Sequence, residues 1–283
     1  MSHDLLRNVS PDNRVYKNMK IKKRNQFKFL IIATTLFVWG CEHNQSTLPN
    51  QIWDKEDTIT LDFATQGLPA LKILNYYGGL IIYGHSYKQK INISANRRVE
   101  SPDQNNLDMM LAGITVPIQQ DADTVYLQVE TPVAQRYEKY ACGLNIFIPY
   151  GMPVFIDYAK NAIITNELDS LVHVRNAKSR ILLARHNGSA DLEAQSHINL
   201  EIYKLWPHGF INAVTDSGDV NMVLPEQTDA TILAQSFYHP IELINIELDT
   251  FLKSYYTASG ILGTGDAPIH LKTTYGTIRI KID

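Results

Sequence analysis

Three histidines in the middle of the chain, His186, His197 and His208, are spaced eleven residues apart. An imidazole nitrogen is a common metal ligand, and a repeat of one strand and one turn would bring such residues into one stack. Successive side chains of a strand point to opposite faces, so a step of eleven residues does not by itself keep three rings on one side. We therefore expect solvated histidines, with no metal site and no cofactor.

Three aspartates, Asp216, Asp219 and Asp266, are the candidates for acid–base chemistry. Cleavage of a glycosidic bond needs carboxyl groups gathered on one face of the protein. Asp216 and Asp219 flank Ser217-Gly218, and an aspartate in such a turn is explained by hydrogen bonds to its own backbone. The chain contains no Gly-x-Ser-x-Gly, phosphate-loop or His-Glu-x-x-His motif. We expect no catalytic residue; the alternative is a carbohydrate-active β-helix enzyme, either a polysaccharide lyase or a hydrolase.

Aromatic side chains are candidates for binding sugars, because a flat apolar ring beside polar groups fits the face of a pyranose. The structural alternative is that these rings pack between repeats or cap their ends. The candidates are Tyr76, Tyr77, Tyr83, Tyr87, Tyr203, Trp206, Phe237, Tyr238, Tyr255 and Tyr256.

The charge distribution excludes one class of partner. The 283 residues carry a formal charge of −3, yet the first 40 residues hold eight basic and two acidic side chains. The remaining chain therefore has 18 basic against 27 acidic residues, a net charge of −9. A nucleic-acid binder needs a basic face to release counterions, so we expect no nucleic-acid partner. With 45% apolar residues the chain can bury a core.

The N-terminus has the composition of an export signal. A basic segment begins at Met19, an apolar run extends from Leu30 to Gly40, and Cys41 follows directly. The apolar run is too short for a stable membrane-spanning helix. This order resembles the bacterial lipoprotein signal, which implies cleavage after Gly40 and lipid attachment at Cys41. We expect a signal peptide over 1–40, with Met19 as an alternative start, and a polar tether over 41–56. The resemblance implies a lipid-anchored protein of the bacterial cell envelope, at the outer membrane or periplasmic face.

The second cysteine, Cys142, is left without a partner if Cys41 carries lipid. It lies beside Leu144, Ile146 and Ile148, so we expect it to be a small buried residue and not a reactive thiol.

Beyond the tether, alternation of apolar and polar residues predicts short strands. One segment differs, because Ser101-Pro102 followed by apolar Leu107, Met110 and Leu111 predicts a short helical insert near 101–112. Between 158 and 224 the strands recur every eight to twelve residues, around Ile163, Val172, Ile181, Leu192, Leu200, Ile211 and Met222.

Such close spacing suits either a solenoid with parallel coils or an antiparallel β-sandwich. Asn187-Gly188 is typical of a hairpin and favours the sandwich. Asparagines recurring along the repeat favour in-register parallel stacking, where amides form ladders. We expect an all-β, single-stranded β-helix or solenoid, with the antiparallel sandwich as the alternative.

The strand-repeat segment from Leu71 to Asp283 resembles the bacterial putative-adhesin family of β-strand-repeat domains. Two patterns carry the resemblance, and Asn161 and Ala162 depart from the second, where the family usually has Gly and a polar residue. The residues that match are Asn75, Gly79, Ile81, Gly84, Ile91, Ile93 and Ala95 in the first pattern, and Ile148, Pro149, Gly151, Val154, Ile156, Ile163 and Thr165 in the second.

The resemblance implies a β-helix-like domain over 57–283, either undivided or in two parts, 57–150 and 151–283. It implies an adhesin-like binding or structural protein without catalysis, contacting the membrane through its lipid and a glycan or protein ligand at the cell surface. An envelope stress-response scaffold is a further alternative. We expect a binding face formed by the outward side chains of His173, Arg175, Asp191, Glu193, Asn199 and Glu201 on one broad sheet.

Lipid attachment gives a direct prediction. Mass spectrometry of the protein extracted from bacterial membranes should find Cys41 as the modified N-terminus, because cleavage after Gly40 exposes it. An intact Trp39-Gly40-Cys41 peptide as the main species would contradict the assignment.

Overall fold

The computed structural model describes residues 51–74, 76, 78–85 and 89–283, whose regular structure is 21 strands and one short helical segment. The predicted signal peptide, Met19 and Cys41 lie outside these residues, as do Asn75, Tyr77 and Tyr87. The strands are β1 (Trp53–Ala64), β2 (Ala70–Leu74), β3 (Leu80–His85), β4 (Lys90–Ser101), β5 (Ile118–Asp121), β6 (Thr124–Gln128), β7 (Lys139–Pro149), β8 (Val154–Ile156), β9 (Ile163–Asn166), β10 (Val172–Ala177), β11 (Ile181–Asn187), β12 (Ala190–Ala194), β13 (Ile198–Lys204), β14 (Ile211–Thr215), β15 (Val220–Leu224), β16 (Ala230–Ser236), β17 (Ile241–Ile244), β18 (Asp249–Lys253), β19 (Thr257–Leu262), β20 (Ala267–Thr273) and β21 (Ile278–Ile282).

The strands form two sheets. The first sheet has the order β1-β4-β7-β3-β9-β11-β13-β15-β21-β17, and the second has the order β18-β19-β16-β20-β14-β12-β10-β8-β2-β6-β5. From β8 to β15 the chain alternates between the sheets, so one coil comprises one strand in each. The segment 53–56, placed in the tether by the sequence, belongs to β1.

Each strand of the central region pairs in parallel with the strand one coil further along. Val172 pairs with Ala190 in the second sheet, and Ile181 with Ile198 in the first. A coil therefore takes 17 to 22 residues. The predicted all-β class and the predicted parallel stacking of the central strands are confirmed. The two layers also have the face-to-face arrangement that a sandwich predicts, but antiparallel pairing is found at the ends, in β1-β4-β7, β5-β6 and β16-β19-β18.

The core is the space between the two sheets. Alternate residues of each strand point inward, and equivalent positions in successive coils carry Ile, Val, Leu or Ala. In the first sheet one such row is Ile163, Ile181, Ile198, Val220 and Ile278, all fully buried. The continuous apolar column expected from the alternation is therefore present.

The order of the coils departs from the order of the sequence at both ends. The β2/β3 coil lies between β6/β7 and β8/β9. The β20/β21 coil lies between β14/β15 and β16/β17, so the last coil of the chain is an internal one.

The turns that lead from the second sheet to the first form what we call the forward corner; those leading back form the return corner. At the forward corner the Thr215 hydroxyl accepts the Gly218 amide at 3.3 Å and donates to the Ser196 carbonyl of the preceding coil at 2.5 Å. Thr273 repeats this, accepting from the Gly276 amide at 3.0 Å and donating to the Gly218 carbonyl at 2.8 Å. These bonds satisfy buried turn groups and link successive coils.

The glycines of these turns permit the close approach of neighbouring coils. A Cβ atom on Gly276 would lie 1.9 Å from the Gly218 carbonyl oxygen, and one on Gly218 would lie 2.2 Å from the Ser196 carbonyl carbon. Since neither contact is sterically allowed, this corner can stack only with glycine at both positions.

The predicted helical insert is confirmed as a 3₁₀ turn, Gln104–Asn106, followed by helix α1, Leu107–Ala112. Leu107, Met110 and Leu111 are buried as the pattern predicted. Among the described residues no helix has the length and apolar character needed to cross a membrane.

Two expectations from the sequence are wrong. His173, Arg175, Asp191 and Glu193 lie on the second sheet, whereas Asn199 and Glu201 lie on the first, because consecutive strands alternate between sheets. Asn187-Gly188 forms no hairpin; it belongs to a return-corner turn, with Gly188 at a φ of 107°.

The amide ladder that the sequence predicts has a rung in the first sheet. Asn221 donates from Nδ2 to Asn199 Oδ1 at 2.9 Å, and these residues are register partners in β13 and β15.

The solenoid gives a prediction for the inward residue Leu200. Replacing Leu200 with Asp should unfold the full-length protein cooperatively, because an unpaired buried charge costs several kcal/mol against a total stability of roughly 5–15 kcal/mol. The control is Asn199→Asp, which places the same carboxylate one residue away on the outer face, beside the Asn221 amide. Urea unfolding followed by circular dichroism measures both; equal stability of the two variants would contradict the inward placement of Leu200.

Candidate functional site

The three evenly spaced histidines are not brought together. His186 and His208 lie at the return corner and His197 at the forward corner, because eleven residues are about half a coil. His197 Nδ1 accepts the Asp219 amide at 3.0 Å. No group of three or more His, Cys, Asp or Glu side chains within the described ranges has the geometry of a metal site.

His186 differs from the expected solvated histidine, since it is fully buried. Its Nε2 lies 3.1 Å from the Ser189 carbonyl oxygen, so Nε2 carries the proton and Nδ1 faces the core without a hydrogen bond. Burial lowers the pKa of His186 to about 4. The inward residue at the same position of the preceding coil is Leu168. The histidine therefore occupies a core position that a neighbouring coil fills with an aliphatic side chain.

The three candidate aspartates do not form one cluster. Asp216 and Asp219 are at the forward corner, whereas Asp266 precedes β20, at the opposite end of the second-sheet strands. The seven residues of β20 separate them by about 20 Å at the usual rise per residue. Glycosidase carboxyl pairs lie within about 10 Å of each other.

The Asp219 carboxylate is moreover engaged within the protein. Its Oδ1 accepts the Thr277 amide at 2.8 Å, and Arg279 Nη1 lies 3.4 Å from Oδ2. These contacts hold the forward turn against β21.

The predicted aromatic residues have several different roles. Tyr76 is buried. Its hydroxyl donates to two carbonyl oxygens, that of Gly79 at 2.9 Å and that of Cys142 at 2.6 Å. Tyr83 stacks on Phe147 with ring centroids 5.0 Å apart. Tyr203 and Trp206 are exposed at the return corner.

Five exposed aromatic residues gather at the forward corner, and we call them the aromatic row. Phe237 and Tyr238 follow β16, Tyr275 follows β20, and Tyr255 and Tyr256 lie between β18 and β19. The Tyr238 and Tyr275 rings stack with centroids 5.0 Å apart and an interplanar angle of 3°. The Tyr255 and Tyr256 rings meet edge to face at 4.8 Å. Phe237, Tyr238 and Tyr275 are each more than half exposed, at 56%, 58% and 54%.

Hydrogen bonds between turns hold the row together. The Tyr256 carbonyl accepts the Ser236 amide at 2.9 Å, which places the β18–β19 turn beside the Phe237-Tyr238 turn. The Tyr275 amide donates to the Asp216 carbonyl at 2.9 Å, which fixes the other end of the row on the β14–β15 turn.

A groove lies beside the aromatic row, where the strands of the second sheet end at the forward corner. The buried residues Ala177, Ala194, Thr215, Thr273 and Ser236 lie in register there, one per coil. The residues that follow them are stacked by backbone bonds, such as that from the Gln195 amide to the Ala177 carbonyl at 2.8 Å. Outward side chains therefore form two parallel rows that run across the coils.

We call the space between these rows the corner groove. Its volume is about 370 Å³. Its four strands, β10, β12, β14 and β20, extend it by about 14 Å along the solenoid, given the usual strand spacing. Its polar side chains are Asn176, Glu193 and Lys272 on one side and Lys178, Gln195, Asp216 and Thr274 on the other.

Phe237 lies next to one end of the corner groove, since it follows Ser236 in the neighbouring strand β16. The Lys272 Nζ lies 5.6 Å from the centroid of the Phe237 ring, a cation–π distance. The groove thus ends at the first residue of the aromatic row.

The groove side chains are not bonded to each other, unlike those nearby on the same sheet. Further from the forward corner on the same strands, the polar side chains form a ladder. His173 Nδ1 lies 2.9 Å from the Asp191 carboxylate, and Asn212 donates to Asp191 at 2.7 Å. His270 Nδ1 lies 3.2 Å from Asn212 Oδ1. In the described part of the chain, no hydrogen bond or ion pair within the protein engages the side chains of Asn176, Lys178, Glu193, Gln195 or Asp216.

A wider cleft of about 830 Å³ lies near the other end of the solenoid, beside Tyr140 and Cys142. Cys142 is buried and unpaired, and burial raises the pKa of its thiol to about 11. The thiol is therefore protonated at neutral pH and inert, as expected from its apolar neighbours.

Sequence reasoning missed Tyr275 and the polar rows of the corner groove. The available signal was the repeated Thr-x-x-Gly of Thr215–Gly218 and Thr273–Gly276. When the two turns are aligned, Tyr275 corresponds to Ser217. In the neighbouring coil Ser236 pairs with Thr273, so Tyr238, two residues after Ser236, corresponds to Tyr275.

The buried histidine gives a prediction about pH. The unfolded chain binds a proton at His186 below its ordinary pKa of 6.5, whereas the folded protein does so only below about 4. Stability is therefore complete above pH 6.5 and falls as the pH drops toward 4, by about 3 kcal/mol from this residue. His186→Leu, which copies Leu168, should reduce this slope when urea unfolding is measured from pH 4 to 7.5. The exposed His208→Leu is the control; an unchanged slope in His186→Leu would contradict the burial effect.

Comparison with known proteins gives structural similarity only. No family model matches the chain, and no curated protein matches it. Eleven chains of solved structures match. They include a putative cell adhesion protein from Clostridium sporogenes, with 13% identity, 81% of this chain and 100% of that chain covered, and a TM-score of 0.47. A putative adhesin from Bacteroides fragilis has 12% identity, coverage of 79% and 97%, and a TM-score of 0.26. A putative lipid binding protein from Parabacteroides distasonis has 9% identity, coverage of 80% and 97%, and a TM-score of 0.24. Structures named as adhesins are therefore among those similar to this chain.

Proposed function

We propose that this protein is an exported, lipid-anchored, adhesin-like binding protein of the bacterial cell envelope, which contacts its ligand through the aromatic row and performs no catalysis. The observation that carries the proposal is the gathering of five exposed aromatic side chains from three separate turns at one corner. Lipid attachment at Cys41 would hold the solenoid on the membrane.

The aromatic row has the composition of a contact surface. Exposed aromatic residues scattered singly are ordinary, but contiguous ones are typical of binding sites, and Tyr is enriched in them. The stacked pair of Tyr238 and Tyr275 holds its rings in one orientation, so little side-chain freedom is lost on binding.

The placement of the candidate acids supports binding without turnover. Asp266 lies about a strand length from Asp216, and Asp219 is occupied by Thr277 and Arg279. Asp266 is therefore too far away to pair with Asp216 or Asp219 across one glycosidic bond.

The shape of the surface supports weak binding at each site. The aromatic row is an open corner, and such a surface makes few contacts with one ligand. Many copies held on one membrane bind together with far greater strength, because each further contact is intramolecular.

The proposal predicts that binding depends on surface density. Full-length protein reconstituted densely in lipid vesicles should retain the vesicles on mucin or capsular polysaccharide coats at least tenfold better than the same amount reconstituted sparsely. Tyr238→Ala combined with Tyr275→Ala should abolish this retention, and Tyr203→Ala at the return corner should not.

Two results would contradict the proposal. One is retention that is absent, or is unchanged by density and by the paired tyrosine variant. The other is release of reducing ends or unsaturated sugars from these polysaccharides that Asp219→Asn abolishes, which would favour the lyase or hydrolase.

A further inference from the structure

We infer that the corner groove binds an extended, neutral glycan, which lies along the solenoid axis with one sugar ring stacked on Phe237. This inference rests on the proposed function, and it names the ligand class of the surface that includes the aromatic row.

The polar side chains of the groove have unused hydrogen-bonding capacity. Asn176 and Gln195 offer amide donors and acceptors, and Glu193 and Asp216 offer carboxylate acceptors, none of them engaged within the protein. Hydroxyl groups both donate and accept, so a sugar chain can use all of these at once. In the His173–Asp191–Asn212–His270 ladder on the same face, the polar side chains bond each other, so fewer donors and acceptors are available to a ligand.

The charges of the groove side chains balance. The groove carries two cations, Lys178 and Lys272, and two anions, Glu193 and Asp216. An anionic polymer would meet both carboxylates and a cationic one both ammonium groups, at the cost that juxtaposed like charges carry. A neutral polyhydroxylated chain meets neither penalty.

The groove offers no free backbone edge to which an extended peptide could add as a strand. Peptides that bind along a sheet add a strand to a free backbone edge. The groove crosses β12 and β14, each of which is paired with a parallel strand on both sides. The backbone donors and acceptors of these strands are thus used, and recognition in the groove depends on side chains.

Phe237 provides a stacking surface next to one end of the groove. Phe237 is exposed and stands where the polar rows stop, with Lys272 beside its ring. A pyranose presents apolar C–H groups on its face and hydroxyl groups around its rim. The ring can therefore stack on Phe237 while the rest of the chain continues between the two polar rows, whose step of about 4.8 Å per coil is close to the length of one sugar unit.

The test uses full-length protein in detergent micelles and a panel of neutral hexasaccharides, namely cellohexaose, xylohexaose, mannohexaose and maltohexaose, with polygalacturonate and hyaluronan hexasaccharides as charged probes. At least one neutral hexasaccharide should bind, measured by calorimetry, more tightly than either charged probe. Phe237→Ala and Gln195→Ala should each weaken binding about tenfold, as expected for loss of one aromatic or polar contact.

Three controls make the result specific. Phe237→Trp should retain binding because it keeps a stacking face. Tyr203→Ala, which removes an exposed ring at the return corner, should leave the affinity unchanged. Each variant should keep the wild-type urea midpoint, since Phe237 and Gln195 are exposed.

The inference is overturned if no neutral hexasaccharide binds, if the charged probes bind better, or if Phe237→Ala and Gln195→Ala bind as the wild type does. Failure of the ligand class is distinguishable from failure of the proposed function. If density-dependent retention on mucin persists and free hexasaccharides do not compete with it, the protein is an adhesin-like binder of another ligand. If retention itself is absent, the proposed function fails.

Discussion

Every turn of this solenoid has to fit against the backbone of the turn before it, and the rest of the structure depends on that contact. At the forward corner the fit requires Gly218 and Gly276, whose missing side chains leave room for the neighbouring carbonyl. It is secured by hydroxyls of Thr215 and Thr273, each of which bonds its own turn and the adjacent one. Each hydroxyl stabilises the corner by bonding one backbone amide and one backbone carbonyl. Loss of the hydroxyl would leave both of these buried backbone groups without a hydrogen bond.

Because the turns are in register, residues at the same position in successive coils form a row on the surface. Residues one place before or after the buried strand ends line the corner groove, although they are distant in sequence. The same rule forms the polar ladder of His173, Asp191, Asn212 and His270 and the buried apolar rows of the core. The two polar rows differ in whether their side chains bond each other, as in the ladder, or remain available to a ligand, as in the groove.

The fold could be predicted from the sequence because its signals are local. Period-two alternation identified the strands, the apolar positions identified the core, and Ser101-Pro102 with Leu107, Met110 and Leu111 identified the helix. The site could be predicted only in part. Phe237 and Tyr238 were candidates, but their neighbour Tyr275 is 37 residues away, and only the insertion of β20 between β14 and β16 brings it there. Asn199 and Asp191 lie on different sheets. Alternation of apolar and polar residues identifies a strand but does not specify which sheet that strand joins.

The placement of the last coil affects how the molecule matures. Residues 267–282 leave the ribosome after every other part of the solenoid, yet they occupy an internal position between two coils made earlier. Until they arrive, β14 and β16 have no common neighbour and the Tyr238 ring has no stacking partner. Contacts of such long sequence separation form late and slowly. The aromatic row is therefore completed only after β20 has joined the solenoid, and a chain that ends before Ala267 lacks the Tyr238–Tyr275 stack.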